Sequence, residues 1–219
     1  MRLEDFMRKQ VVTATATTSI REALALLKQN RIRHLPVLDN QILVGIVSDR
    51  DLRDALPSSL YARSDDHIIM TKPVQEIMNT EVITAHPLDF LEEAAKTMYE
   101  YKVGSLPVLE ENKLVGIVTE SDILYKMIEL FGVNKASSQI EIEVEDRYGV
   151  LAEVSQVIRE SKVNVSSVIV FPSATEGKKI LVFRVTTMDT RTVTSMLRDK
   201  GFHVLDPIRG NSYVTSTPV

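Results

Sequence analysis

The chain repeats itself in register. Val11-Val12-Thr13-Ala14 returns as Val82-Ile83-Thr84-Ala85, an offset of 82 − 11 = 71 residues. Without a gap, the same offset lays Leu35-Pro36-Val37-Leu38 on Leu106-Pro107-Val108-Leu109 and Leu43-Val44-Gly45-Ile46-Val47 on Leu114-Val115-Gly116-Ile117-Val118. It also aligns Phe6-Met7 with Ile77-Met78 and Asp51 with Asp122. Self-similarity held over about 50 residues marks a duplicated structural unit. A unit this small buries too little surface to stand alone, so the two copies are expected to pack on each other. Since the chain has 219 residues, a further compact unit is expected beyond the repeat.

Each copy reads as β-α-β-β-α. In the first, Ile20, Ala23, Leu24 and Leu27 follow the i, i+3, i+4, i+7 spacing of a helix with one apolar face. Ser19 and Glu22 supply a capping box at its start. In the second copy Leu91, Ala94, Ala95 and Met98 form the stripe, and Asp89 with Glu92 is the expected box. Two aliphatic strands follow, Leu35 to Leu38 and Ile42 to Val47, separated by the turn-forming Asp39-Asn40-Gln41. A second helix is expected from about Asp49. The path of residues 57 to 73, with Tyr61, His67 and Met70, is not legible.

The period changes after Phe131-Gly132-Val133-Asn134, which reads as a linker. Ile140, Ile142 and Val144 alternate with glutamates as in a half-buried strand, then Val150, Leu151, Val154, Val157 and Ile158 return to helical spacing. Strands near 164 to 171 and 179 to 186, a helix near 190 to 199 and a strand near 202 to 205 complete β-α-β-β-α-β, the ferredoxin-like order. The fold class is therefore α+β, with units at 1–71, 72–132 and 136–210.

Several chemistries are disfavoured at once. There is no cysteine, hence no disulfide, thiolate nucleophile or thiolate metal site, and the four histidines are scattered, so no metal is expected. No Walker loop, no G-x-G-x-x-G turn and no nucleophile with its base stand out, so no catalytic residue is assigned and a non-enzyme is expected. A net charge of −4 gives no general attraction to nucleic acid or anionic lipid. The acidic start and the lack of a long apolar run point to a cytoplasmic protein with no membrane partner.

The order V-x-x-h-M, entry strand, L-P-V-L, L-V-G-I-V-[ST]-x-x-D resembles the CBS domain, present as the tandem pair called a Bateman module, over about residues 3 to 130. The resemblance implies clefts for adenosine-containing ligands: AMP, ADP, ATP or S-adenosylmethionine, as a regulatory ligand and not a required cofactor. It also implies that Asp51 and Asp122 hold ribose hydroxyls, with Ser48 and Thr119 as partner hydroxyls. One adenine slot is expected from Thr13-Ala14-Thr15 with Ile46-Val47, the other from Thr84-Ala85-His86 with Ile117-Val118. Phosphates would meet Arg31, Arg33 and His34 in copy one, with Arg50 and Arg53 adding charge. Copy two offers Lys102, Gly104 and Ser105 instead, so unequal sites are expected. A plainer reading coexists: Ser48-x-x-Asp51 and Thr119-x-x-Asp122 are also ordinary capping boxes.

In the last third, Asp146-Arg147-Tyr148-Gly149-Val150-Leu151 with Asn164 resembles the ACT domain. This implies an effector site, commonly for an amino acid, at Asp146, Gly149, Val150, Leu151 and Asn164. Gly149 would permit close backbone approach and the helix N-terminus would favour a carboxylate. The competing reading is dimerisation alone, with Gly149 shaping the turn and Asp146 capping the helix. Two CBS units followed by an ACT domain resemble the bacterial acetoin utilization family, which implies a homodimer that regulates an enzyme partner in acetoin breakdown or acetyl-CoA synthetase control. The alternative is an adaptor with vestigial nucleotide sites.

Overall fold

The aliphatic runs of each copy close into antiparallel hairpins because the residues between them accept left-handed backbone. Asn40 and Gln41 have φ of 47° and 68°, and their counterparts Glu111 and Asn112 have 48° and 63°. Positive φ at both central residues matches the twist of a two-residue hairpin. A computed structural model of the protein describes residues 1–56 and 69–205. Tyr61, His67 and the end of the proposed third unit lie outside the described residues.

The chain divides into two compact units, Met1–Leu124 and Tyr125–Val219. In the first, copy one supplies β1 (Ala14–Thr15), α1 (Ile20–Asn30), β2 (His34–Asp39), β3 (Ile42–Ser48) and α2 (Asp49–Asp54). Copy two supplies α3 (Leu91–Tyr101), β4 (Ser105–Glu110), β5 (Lys113–Thr119) and the first turn of α4 (Glu120–Leu130), which runs on into the second unit. Pairing of Ile42 with Lys113 joins the hairpins into one five-stranded sheet, ordered β1-β2-β3-β5-β4. Helix α1 buries Ile20, Ala23 and Leu27 as its spacing requires, with Leu24 partly covered, and the Ser19–Glu22 capping box is present. Met70 packs against the same core.

The second box differs from expectation. The Phe90 amide donates to Glu93 Oε2 at 3.0 Å, and Asp89 instead accepts from the His86 amide at 2.7 Å. Phe90 and Glu93 are the positions 71 residues beyond Ser19 and Glu22, so the repeat's register decides the cap and the more polar neighbour Asp89 serves the preceding turn.

The leading segments of the copies are exchanged. Leu3 is fully buried, its amide donating to the Asp89 carbonyl at 3.0 Å, while its counterpart Val74, also fully buried, donates to the Thr18 carbonyl at 2.8 Å. Residues 1–8 thus pack on copy two and residues 72–79 on copy one. Gly116 and Gly45 make this possible. A β-carbon on Gly45 would stand 2.5 Å from Met78 Sδ, and one on Gly116 2.6 Å from Met7 Sδ.

The second unit is a four-stranded antiparallel sheet, β7-β8-β6-β9, from β6 (Ser138–Glu145), β7 (Val165–Pro172), β8 (Lys178–Val185) and β9 (His203–Leu205). Helices α5 (Val150–Glu160) and α6 (Arg191–Asp199) cover one face. Ile140, Ile142 and Val144 of β6 point into that core with Val154, Ile158 and Phe183, as period-2 alternation demands. Glu143, on the opposite face, accepts from Ser173 Oγ at 2.7 Å.

Candidate functional site

Exchange of the leading segments decides where the clefts fall. Ile46 and Asn79 trade main-chain hydrogen bonds, each 2.9 Å, and Arg8 and Ile117 do the same at 3.0 Å. Each cleft therefore takes one wall from each copy. Cleft one, a cavity of about 520 Å³, is lined by Ile46, Ser48, Arg50 and Asp51 of copy one and by Asn79, Val82, Ile83 and Ser105 of copy two. Cleft two, about 390 Å³, is lined by Arg8, Val11, Val12 and Arg31 of copy one and by Ile117, Thr119 and Ser121 of copy two.

This corrects the same-copy slots expected above. Ala14 and Thr15 pair with Val37 and Leu38 at the sheet edge, and Ala85 bridges to Val108 in the corresponding place. Neither cleft lining includes Thr13, Ala14, Thr15, Thr84 or Ala85. Val47 and Val118 are fully buried, on the strand faces opposite Ile46 and Ile117. The wall that meets Ile46 is residues 79–83, and the wall that meets Ile117 is residues 8–12.

The two carboxylates are held alike at one oxygen. Asp51 Oδ2 accepts from the Ser48 amide and Oγ, both 2.7 Å, and Asp122 Oδ2 accepts from the Thr119 amide at 3.0 Å and Oγ1 at 2.6 Å. These are the capping boxes read from sequence. They differ at the other oxygen. Asp122 Oδ1 receives Arg8 Nε at 3.3 Å and Nη2 at 3.2 Å, whereas no donor among the described residues reaches Asp51 Oδ1. Arg8 and Asn79 are 71 positions apart, so the repeat places an amide where its other copy has a guanidinium.

The expected phosphate-binding loop of copy one serves both clefts. Arg33 and His34 line both clefts, and Arg33 Nη2 reaches Ser121 Oγ of copy two at 3.4 Å. Burial holds the His34 imidazole below its ordinary value, the Arg33 charge acts the same way, and Glu120 and Asp51 oppose. At the position equivalent to His34 stands Ser105, 4% exposed, whose Oγ has no hydrogen-bond partner among the described residues. A buried hydroxyl left unpaired is costly, so its position on the wall of cleft one is informative.

Models of the CBS domain match residues 3–58 and 74–129, and a model of the ACT domain matches residues 138–199. The chain belongs to the CBS domain family. The ACT domain forms its C-terminal third. The CBS pair is similar to the CBS domain-containing protein YhcV of Bacillus subtilis, 34% identical over 121 residues, which are 55% of this chain and 81% of that one. Among solved structures it is similar to the acetoin utilization protein AcuB from Vibrio cholerae, at 36% identity and a TM-score of 0.53, covering 61% of this chain and 94% of that one. It is also similar to the CBS domain pair of protein MJ0100 in complex with 5′-methylthioadenosine and S-adenosyl-L-methionine, at 33% identity and a TM-score of 0.50, covering 62% and 98%. Against an inosine-5′-monophosphate dehydrogenase of Korarchaeum cryptofilum, 32% identical, this chain spans only 27% of the relative's length.

In the ACT domain the expected effector residues differ in burial and in partners. Gly149 adopts φ of 82° as the N-cap of α5 with open space beside it, Leu151 is exposed and Val150 is buried in the core. Asp146 does not cap the helix: its carboxylate receives Lys179 Nζ at 2.8 Å. The Asn164 carbonyl accepts from the Thr186 amide at 2.9 Å. Among the described residues no helix is long and apolar enough to cross a membrane, and no group of three or more potential metal ligands converges.

Proposed function

We propose that the chain is a non-catalytic regulatory protein whose CBS clefts take adenosine-containing ligands. In this reading Asp51 and Asp122 accept ribose hydroxyls, with Ser48 and Thr119 beside them, and the adenine lies along Ile46 with residues 79–83 or along Ile117 with residues 8–12. Arg33, His34 and Arg50 stand where phosphate would lie. The observation that carries it is the division of labour in Asp51: one oxygen finishes a helix cap, and the other has no donor among the described residues in a cleft that also holds the unpaired Ser105 hydroxyl. A carboxylate oxygen so placed can accept from vicinal hydroxyls. The adenosyl ligands named for the MJ0100 pair support the same class.

The ligand acts by linkage: binding one arrangement of the copies more tightly shifts the population toward it by the difference in affinity. The ACT domain passes that shift to a cytoplasmic enzyme partner, within a homodimer, and the AcuB likeness makes acetoin use the first process to examine. An amino acid at Asp146, Gly149 and Leu151 is the second input.

Calorimetric titration of the full chain with AMP, ADP, ATP and S-adenosylmethionine, repeated on Asp51→Ala and Asp122→Ala, tests this. Ligand at about 100 times its dissociation constant should also stabilise the fold by about 2.7 kcal/mol. Saturable binding removed by one substitution upholds the reading. No heat with any of the four, and no thermal shift, leaves an adaptor with vestigial sites.

A further inference from the structure

We infer that Arg8 makes the Asp122 cleft selective for adenosine ligands that carry phosphate, while the Asp51 cleft accepts adenosine ligands without it. The inference rests on the reading of the two aspartates as ribose acceptors.

The clefts are built on one plan, and the departure that touches the ribose-binding carboxylate is Arg8 in one against Asn79 in the other. In cleft two, Arg8 already holds Asp122 Oδ1, through Nε at 3.3 Å and Nη2 at 3.2 Å. A ribose can claim that oxygen only by turning the guanidinium away. The turn is open to the side chain, which is about half exposed, while the Arg8 backbone stays pinned to Ile117 by two 3.0 Å hydrogen bonds. What the displaced guanidinium then meets depends on the ligand. A phosphate offers it a charge-assisted, two-pronged replacement for the lost carboxylate, and an unphosphorylated nucleoside offers nothing.

The rest of cleft two favours the same class. Its lining carries Arg8, Arg31 and Arg33, and the carboxylate beside it is Asp122, which stands behind Arg8 and not on the lining itself. Cleft one is lined by cations and carboxylates together, Arg50 and Lys102 with Glu81 and Glu120 among them, so it holds no comparable excess of positive charge. At the position of Arg8 it has Asn79, whose Oδ1 accepts from the Glu81 amide at 2.9 Å and leaves Asp51 alone. An uncharged or cationic adenosine compound therefore finds a free carboxylate in cleft one and an occupied one in cleft two.

The test isolates each cleft and titrates the full chain with adenosine and with AMP. In an Asp51→Ala background, which leaves cleft two, AMP should bind and adenosine should bind far more weakly. Adding Arg8→Asn, which installs the residue found in the other copy, should strengthen adenosine and weaken AMP, each by up to about fivefold, the upper end of what an exposed ion pair contributes. In an Asp122→Ala background, Asn79→Arg should impose the same preference for AMP on cleft one. An AMP-to-adenosine ratio unchanged by both substitutions overturns the selectivity while leaving the ribose reading intact. Absence of binding of either compound to the unsubstituted chain overturns both.

Discussion

The His34 imidazole lies against Gly104, its Cε1 and Nε2 each 3.0 Å from where a β-carbon on that glycine would stand. The ring belongs to copy one and the glycine to copy two, and both line cleft one. The contact is one of the few places where a single side chain faces both cavities.

Gly104→Val should push the ring into the cleft or strain the turn before β4, lowering stability by about 1–3 kcal/mol, the usual range for overpacking. Ligand affinity in cleft one should fall as well. His34→Ala in the same chain should restore most of the stability, because the ring is the nearest atom group the valine meets. Urea denaturation of the two single variants and the double variant gives the coupling directly, and additive effects would mean the ring moves aside freely.

Gly45→Ala tests the exchanged segment. The new methyl would meet Met78 Sδ at 2.5 Å and the Asn79 carbonyl oxygen at 3.1 Å. A thioether can bend away. The carbonyl cannot do so without loosening its 2.9 Å bond from the Ile46 amide. A loss of about 1–3 kcal/mol is expected, with faster hydrogen exchange at the Ile46 and Asn79 amides before other strand positions. Unchanged exchange at those two amides would show that Met78 absorbs the whole change.

Acid should reach the ACT domain through Glu143. Its hydrogen bond from Ser173, helped by His203 and Lys178, holds the carboxyl down to about 2 against an ordinary 4.5. The folded state therefore binds that proton less readily than the unfolded chain, so the stabilisation is complete above 4.5 and is lost as pH falls from 4.5 through about 2. Glu143→Gln should be less stable than the parent at neutral pH and flatter across that window, as read from urea midpoints at stepped pH. Parallel curves would place the acid response elsewhere.

Local pattern made most of the elements legible. Ile20, Ala23 and Leu27 repeat at the helical period and are buried, and Ile140, Ile142 and Val144 alternate and share one face. The cap on α3 is not legible from side-chain polarity, which favours Asp89; the 71-residue register points to Phe90 and Glu93, where it forms. The crossed clefts lie beyond sequence pattern for a physical reason. When two copies are alike, a leading segment satisfies its own copy and the other equally well on paper, so the repeat cannot say which it joins. Arg8 and Asp122 meet across 114 positions, and no local period reports such a contact. The available signal was the mismatch of Arg8 with Asn79 inside an otherwise matched frame.

Reciprocal exchange of the leading segments makes the duplication irreducible. A fragment ending before residue 72 would leave Gly45 without the Met78 that covers it, and one starting after residue 8 would leave Gly116 without Met7. Neither half is a portable module that recombination can lift into another protein by itself. The two must be inherited as one piece, and a change in either half is felt in the other's cleft.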